Sequence, residues 1–138
     1  MVELSPRLRA VLEALPLRPG LRVLELGCGP GPLARAIAER VAPDGYVLGV
    51  DRSTIAIQSA ERQSDVGALD FRVGAADRFV LEHDQQPFDL VVAIRLGALD
   101  GRHPELEAAT LERLRAATVP GASLFIDQGD PLKEIALH

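Results

Sequence analysis

The sequence has no tryptophan, one tyrosine and four phenylalanines, and no run of basic residues. It therefore lacks the stacking platforms and charged grooves that hold nucleic acid, and direct binding of DNA or RNA is not expected. Of its fifteen basic residues only Lys133 is lysine; the arginines are scattered, five of the fourteen directly beside a Glu or Asp, and the net charge is −5. The single cysteine, Cys28, cannot close an internal disulfide, and no Cys/His spacing matches a metal site. The longest apolar run is Leu90 to Ile94, far short of a membrane span, and the N-terminal residues show no signal-peptide pattern. A cytoplasmic protein without membrane contact is expected.

What remains is a chain of 138 residues, 47% apolar and 25% charged, which is the balance of one soluble domain covering residues 1–138. A chain of this length buries roughly two-thirds of its unfolded surface and needs no staple. Apolar periodicity alternates between helix and strand from end to end. Ser5-Pro6 reads as an N-cap and first helical position, with Leu8, Val11, Leu12 and Leu15 on one face. Strands are expected at 21–26, 46–50, 69–73, 88–94 and 123–127. Helices are expected at 32–41, 53–63 and 104–118, with a helical turn at 79–82. Near-continuous apolar strands separated by amphipathic helices indicate a parallel sheet covered on both faces. The expected fold is α/β and doubly wound: a three-layer α/β/α sandwich around a mostly parallel five-stranded sheet of order 3-2-1-4-5. Ligands of such sheets bind beyond the carboxyl ends of the strands, so chemistry is sought just after each strand.

The first strand runs directly into Glu25-Leu-Gly-Cys-Gly-Pro-Gly31 and then a helix. Gly27, Gly29 and Gly31 permit a tight turn and a close backbone approach to a ligand. A dinucleotide fingerprint started at Gly27 requires a small residue at position 32, where Pro32 removes a backbone N–H. Glu25 would also set a carboxylate near the pyrophosphate. A cationic ligand suits this turn better than a doubly anionic one. Asp51 closes the second strand, where it can accept from vicinal hydroxyls or cap the following helix; Ser53 is able to cap that helix alone. Asp77 stands in the loop after the third strand, as a ligand acceptor or another cap. Cys28 reads as a nucleophile or as a small side chain packed under the turn, and no neighbouring His or Lys is present to activate it.

These segments together resemble the class I S-adenosylmethionine-dependent methyltransferases. Residues 25–31 are similar to the family's E/D-x-G-x-G-x-G motif, Gly49-Val50-Asp51 to its second-strand acid, and Gly74-Ala75-Ala76-Asp77 to its adenine-side segment. Phe88 to Ala93 is similar to its fourth strand. Val119-Pro120-Gly121-Ala122 resembles the family's P-G-G turn, with alanine in place of the second glycine. The resemblance spans residues 20–127. It implies S-adenosyl-L-methionine as cofactor, held by Glu25, Gly27, Cys28, Gly29, Gly31, Asp51, Arg52, Ala76, Asp77, Arg78, Ala93 and Ile94. In that scheme Asp51 takes the ribose, Asp77 and the Arg78 N–H take the adenine, and Glu25 with the carbonyls of Ala93 and Ile94 takes the methionine ammonium.

Methyl transfer from a sulfonium needs a base only if the acceptor must lose a proton. Asp100 and His103, in the loop after the fourth strand, are candidates for that role or members of a solvated loop, and Arg95 is placed to hold an anionic substrate group. The sequence Ala93-Ile94-Arg95-Leu96 lacks the Asn-Pro-Pro-Tyr type signature of the family's nitrogen-methylating branch. The acceptor is expected to be a small molecule. Residues 128–138 are too few for the family's closing helix and hairpin of strands six and seven. That leaves the fifth strand as an apolar edge and predicts a homodimer through it, unless residues 132–137 fold over it. The thin acceptor side also admits a second reading, a non-catalytic cofactor-binding module that stabilises or activates a partner.

Overall fold

At the centre of the sheet lies β1 (Arg22–Leu26), with Val23, Leu24 and Leu26 wholly inaccessible to solvent. Each such side chain contributes about 1.5–3 kcal/mol relative to exposure. In this computed structural model, which describes residues 4–63 and 67–138, β1 pairs in parallel with β2 (Tyr46–Asp51) on one side and β4 (Phe88–Ala93) on the other. Beyond them lie β3 (Leu69–Val73) and β5 (Thr118–Ile126), also parallel. This is the expected order 3-2-1-4-5, extended to six strands by β6 (Lys133–Ala136), which runs antiparallel to β5.

Alternation along the strands divides the apolar residues between two cores. Val23, Val47, Leu90 and Val92 meet α1 (Pro6–Ala14) and α2 (Pro32–Val41), while Leu24, Leu26, Val91 and Leu124 meet α4 (Glu107–Ala116). The helix α3 (Thr54–Gln63) joins β2 to β3 and buries Ile57 and Ala60. The Ser5 hydroxyl accepts the Leu8 N–H at 3.2 Å and caps α1; the Ser53 hydroxyl accepts the Ala56 N–H at 3.1 Å and caps α3. Among the described residues no helix is long and apolar enough to cross a membrane.

Three expectations need correction. The helical turn after β3 falls at Ala76–Arg78 rather than 79–82, because Phe79 is drawn into the second core against Phe88, its ring 6.4 Å away, and the chain runs extended through it. The last helix is α4 preceded by a separate short turn, Pro104–Leu106; it ends at Ala116 because Thr118 opens β5, with its hydroxyl donating to the Leu114 carbonyl at 2.7 Å. The third concerns the edge of β5. Residues 133–136 cover it, from Ile126 opposite Lys133 to Ser123 opposite Ala136, and Leu137 is 1% exposed in the second core. Arg115 donates to the Leu137 carbonyl at 2.9 Å, and the Thr118 hydroxyl lies 2.9 Å from His138 Nε2. The predicted homodimer rested on that edge being open, so its ground is gone. The new outer edge carries Lys133 and Glu134, charges that discourage further strand pairing.

Candidate functional site

Above the carboxyl ends of β1 and β2, and between the loops after β3 and β4, lies a cavity of about 260 Å³. Gly27 of the glycine turn lines it, while Glu25, Cys28, Gly29 and Gly31 stand outside the lining, next to it in the same turn. The N–H groups of Gly27 and Cys28 both donate to the Val50 carbonyl, at 2.7 and 3.0 Å, which ties the turn to β2. Asp51 completes the tie: one carboxylate oxygen accepts the Gly29 N–H at 2.9 Å and the other accepts the Ser53 N–H at 2.9 Å. Each oxygen keeps acceptor capacity, and Asp51 lines the cavity.

Gly29 and Gly31 serve different ends. Both have positive φ, +56° and +85°. A Cβ on Gly31 would stand 2.6 Å from the Phe71 ring, so this glycine is required by packing as well as by conformation. A Cβ on Gly29 would meet nothing within 4 Å. The turn is thus pressed against the protein at Gly31 and clear at Gly29, an open backbone that a ligand can approach.

Glu25 is 3% exposed, and its Oε1 has no hydrogen-bond partner. Burial, and then the negative charge of Asp51, push its carboxyl up to about 8 from the ordinary 4.5, against the pull of the Ala34 N–H. A buried carboxylate oxygen with no partner is costly unless something cationic or hydrogen-bonding reaches it. Cys28 is also buried; burial first, then Glu25 and Asp51, push its thiol well above the usual range, and its Sγ donates to the Gly29 carbonyl at 3.4 Å. A thiol held protonated in this way is a packing group and not a nucleophile.

The remaining sequence-derived residues separate into those at the cavity and those away from it. Arg52, Ala76 and Asp77 line it. Asp77 caps nothing: the short turn has Ala75 at its N-cap position with no side-chain bond, so the Asp77 carboxylate is left for the cavity. Arg78 is exposed outside the lining, and its N–H donates to the Ala75 carbonyl at 3.1 Å. Ala93 and Ile94 are buried behind the cavity, although the Ile94 carbonyl lies 3.9 Å from the position a Gly27 Cβ would take. Asp100 and His103 part company. Asp100 accepts from Arg102 Nε at 2.8 Å and from the Arg102 N–H at 3.1 Å, outside the lining, and anchors Arg102. His103 lines the cavity, half-exposed, with Nδ1 3.6 Å from Glu105 Oε2.

The loop Arg95 to His103, expected from the sequence to overhang the site, forms the opposite wall, although its residues Leu96, Gly97, Ala98 and Arg102 were not singled out. Leu96, Gly97 and Ala98 cross it, with Arg102 and Leu106 behind. Its one sequence signal is Gly97, where a Cβ would fall 2.5 Å from the His103 ring. Arg102 also donates to the Arg95 carbonyl at 2.6 Å, which folds the loop back on itself.

The methyltransferase domain family matches residues 17–136. The chain belongs to that family, the class I S-adenosylmethionine-dependent methyltransferases. Ribosomal protein L11 methyltransferase of Thermus thermophilus is 40% identical over 126 residues, covering 86% of this chain and 43% of that protein. Among solved structures, an S-adenosylmethionine dependent methyltransferase from Mesorhizobium loti is 28% identical with a TM-score of 0.65, covering 88% of this chain and 50% of that one. CrArsM, an arsenic(III) S-adenosylmethionine methyltransferase from Chlamydomonas reinhardtii, is 25% identical with a TM-score of 0.68, covering 92% and 52%. The chain spans about half or less of the length of the curated relatives it matches. The cofactor is S-adenosylmethionine.

Proposed function

We propose that this chain transfers a methyl group from S-adenosylmethionine to a small-molecule acceptor. The observation that carries the reading is the clasp of Asp51 on Gly29 beside a buried, unpartnered Glu25 oxygen. The residues present suit the cofactor: an orphaned carboxylate oxygen answers a cationic amine, a side-chain-free turn admits close approach, and two cavity-lining aspartates answer hydroxyl and amino donors. When bound, the cofactor supplies an electrophilic methyl on a sulfonium.

This chain's own residues do the rest. Glu25, once ionised, holds the ammonium. Asp51 takes the ribose hydroxyls on the acceptor sites left free by Gly29 and Ser53, and Asp77 takes the adenine edge. Leu26, Leu96 and Ala98 exclude water from the reacting centre. For an acceptor that must lose a proton, His103 is the base, receiving it on Nε2 while Glu105 faces Nδ1.

Calorimetry with S-adenosylmethionine and its demethylated product tests the reading. Binding at micromolar concentrations, with demethylated product released on an acceptor panel, is the expected result. Binding without any turnover would favour the non-catalytic module, and no binding at millimolar concentration would end both.

A further inference from the structure

The two walls of the cavity differ in charge. Asp51 and Asp77 lie on the side of β2 and β3 together with Arg52, whose guanidinium also makes no hydrogen bond or ion pair among the described residues, whereas Arg95, Arg102 and His103 lie on the side of β4. Arg102 is compensated by Asp100, 2.8 Å from its Nε. Arg95 is not: its guanidinium makes no hydrogen bond or ion pair with any described residue, and only its carbonyl is engaged, by Arg102.

Arg95 also adopts φ +54°, a conformation that suits glycine and that a long side chain rarely takes. The loop holds it there. The N–H groups of Leu99 and Asp100 both donate to the Leu96 carbonyl at 3.0 Å, and the His103 N–H donates to the Gly97 carbonyl at 2.9 Å. A rigid loop that presents an unpaired cation from a strained backbone, at the rim of a cavity, fits a binding role better than a packing one. Charge points the same way. The lining sets Arg52, Arg95 and Arg102 against Asp51 and Asp77, and Asp100 balances the difference. S-adenosylmethionine adds one net positive charge and the ionised Glu25 offsets it, so Arg95 stays without a counter-charge on the acceptor side.

We infer that the methyl acceptor carries an anionic oxygen-acid group, a carboxylate or a phosphate, taken by the Arg95 guanidinium beside His103. The inference rests on the methyl-transfer reading and narrows its substrate class.

The test follows release of demethylated cofactor on hydroxybenzoates, the matching neutral hydroxybenzamides, and hydroxyphenyl phosphates. The acids are expected to exceed the amides in kcat/KM by about tenfold or more, the size of one charge-assisted contact. The better of the two acid series identifies the anion. Arg95→Gln should erase that preference and Arg95→Lys should keep most of it. Arg95→Gly, which relieves the left-handed backbone, should lose the preference without melting lower than the parent. Should no compound of the panel turn over, benzoate and inorganic phosphate are titrated into the protein loaded with the demethylated cofactor. Saturable binding that Arg95→Gln abolishes then supports the inference. Amides equal to acids, an unchanged preference in Arg95→Gln, a lower melting point for Arg95→Gly, or no saturable anion binding in the millimolar range would overturn it. Cofactor binding is measured first: its absence removes the methyl-transfer reading and this inference together, whereas cofactor binding with no preference for acids removes this inference alone.

Discussion

The Asp51 carboxylate accepts the backbone N–H of Gly29 at 2.9 Å, so the end of β2 sets the shape of the turn that follows β1. One side chain therefore serves the fold and the ligand. Asp51→Ala removes this bond and the one from Ser53 N–H, and should lower stability by about 1–2 kcal/mol in denaturant unfolding. The same change should weaken cofactor binding at least about tenfold by calorimetry, since the ribose acceptor goes with it.

Stability and affinity should come apart at the two glycines. Gly31→Ala places a methyl 2.6 Å from the Phe71 ring at φ +85° and should cost about 2–3 kcal/mol or more of folding stability. Gly29→Ala meets open space and should cost only about 1 kcal/mol, the strain of its positive φ. Its larger effect should be on cofactor affinity, because the new methyl occupies the face that the ligand approaches. Thermal melts and calorimetry on both variants check the contrast.

Glu25 gives the site a pH dependence of definite sign. Its folded pKa of about 8 lies above the ordinary 4.5, so burial favours the neutral form. The stability this contributes is complete below about pH 4.5 and is lost progressively as the pH rises to about 8. Glu25→Gln should flatten that decline in the cofactor-free protein. If the ionised carboxylate meets the cofactor's ammonium, binding near about pH 7 releases a proton. The binding enthalpy should then vary with the ionisation heat of the buffer, and Glu25→Gln should abolish the variation.

The C-terminal strand should matter more than its length suggests. Leu137→Ala empties a fully buried position and should cost about 2–4 kcal/mol in urea unfolding. A chain ending at Gly129 would expose the β5 edge from Ser123 to Ile126 and should self-associate more strongly than the full chain in sedimentation velocity.

His103→Ala should lower kcat by roughly a hundredfold or more on an acceptor with a hydroxyl nucleophile, the usual range for loss of a general base. Cofactor affinity should change far less. Equal losses in kcat and in affinity would make His103 a wall of the cofactor site instead.

Sheet order, the glycine turn and the acids after β1 to β3 were legible because each is written locally. Apolar runs mark the strands, and the Glu25 to Gly31 motif lies within one strand–turn–helix unit. What was not legible depends on distant partners. Phe79 runs extended because Phe88 waits in the second core, and Asp100 is engaged because Arg102 folds back to it and to the Arg95 carbonyl. Residues 133–136 have little strand character of their own and become one by pairing with β5, with Leu137 as the anchor. The Arg95 conformation left no local trace at all, since the sequence offers glycine two residues later, at Gly97.

The most direct test of the account is a crystal structure of this chain with the demethylated cofactor. The account predicts the ribose hydroxyls within hydrogen-bond distance of Asp51, the amine at Glu25 Oε1, and the adenosyl group passing over Gly29. A ligand lodged elsewhere, or a cradle left empty with Asp51 and Glu25 untouched under saturating ligand, would contradict it.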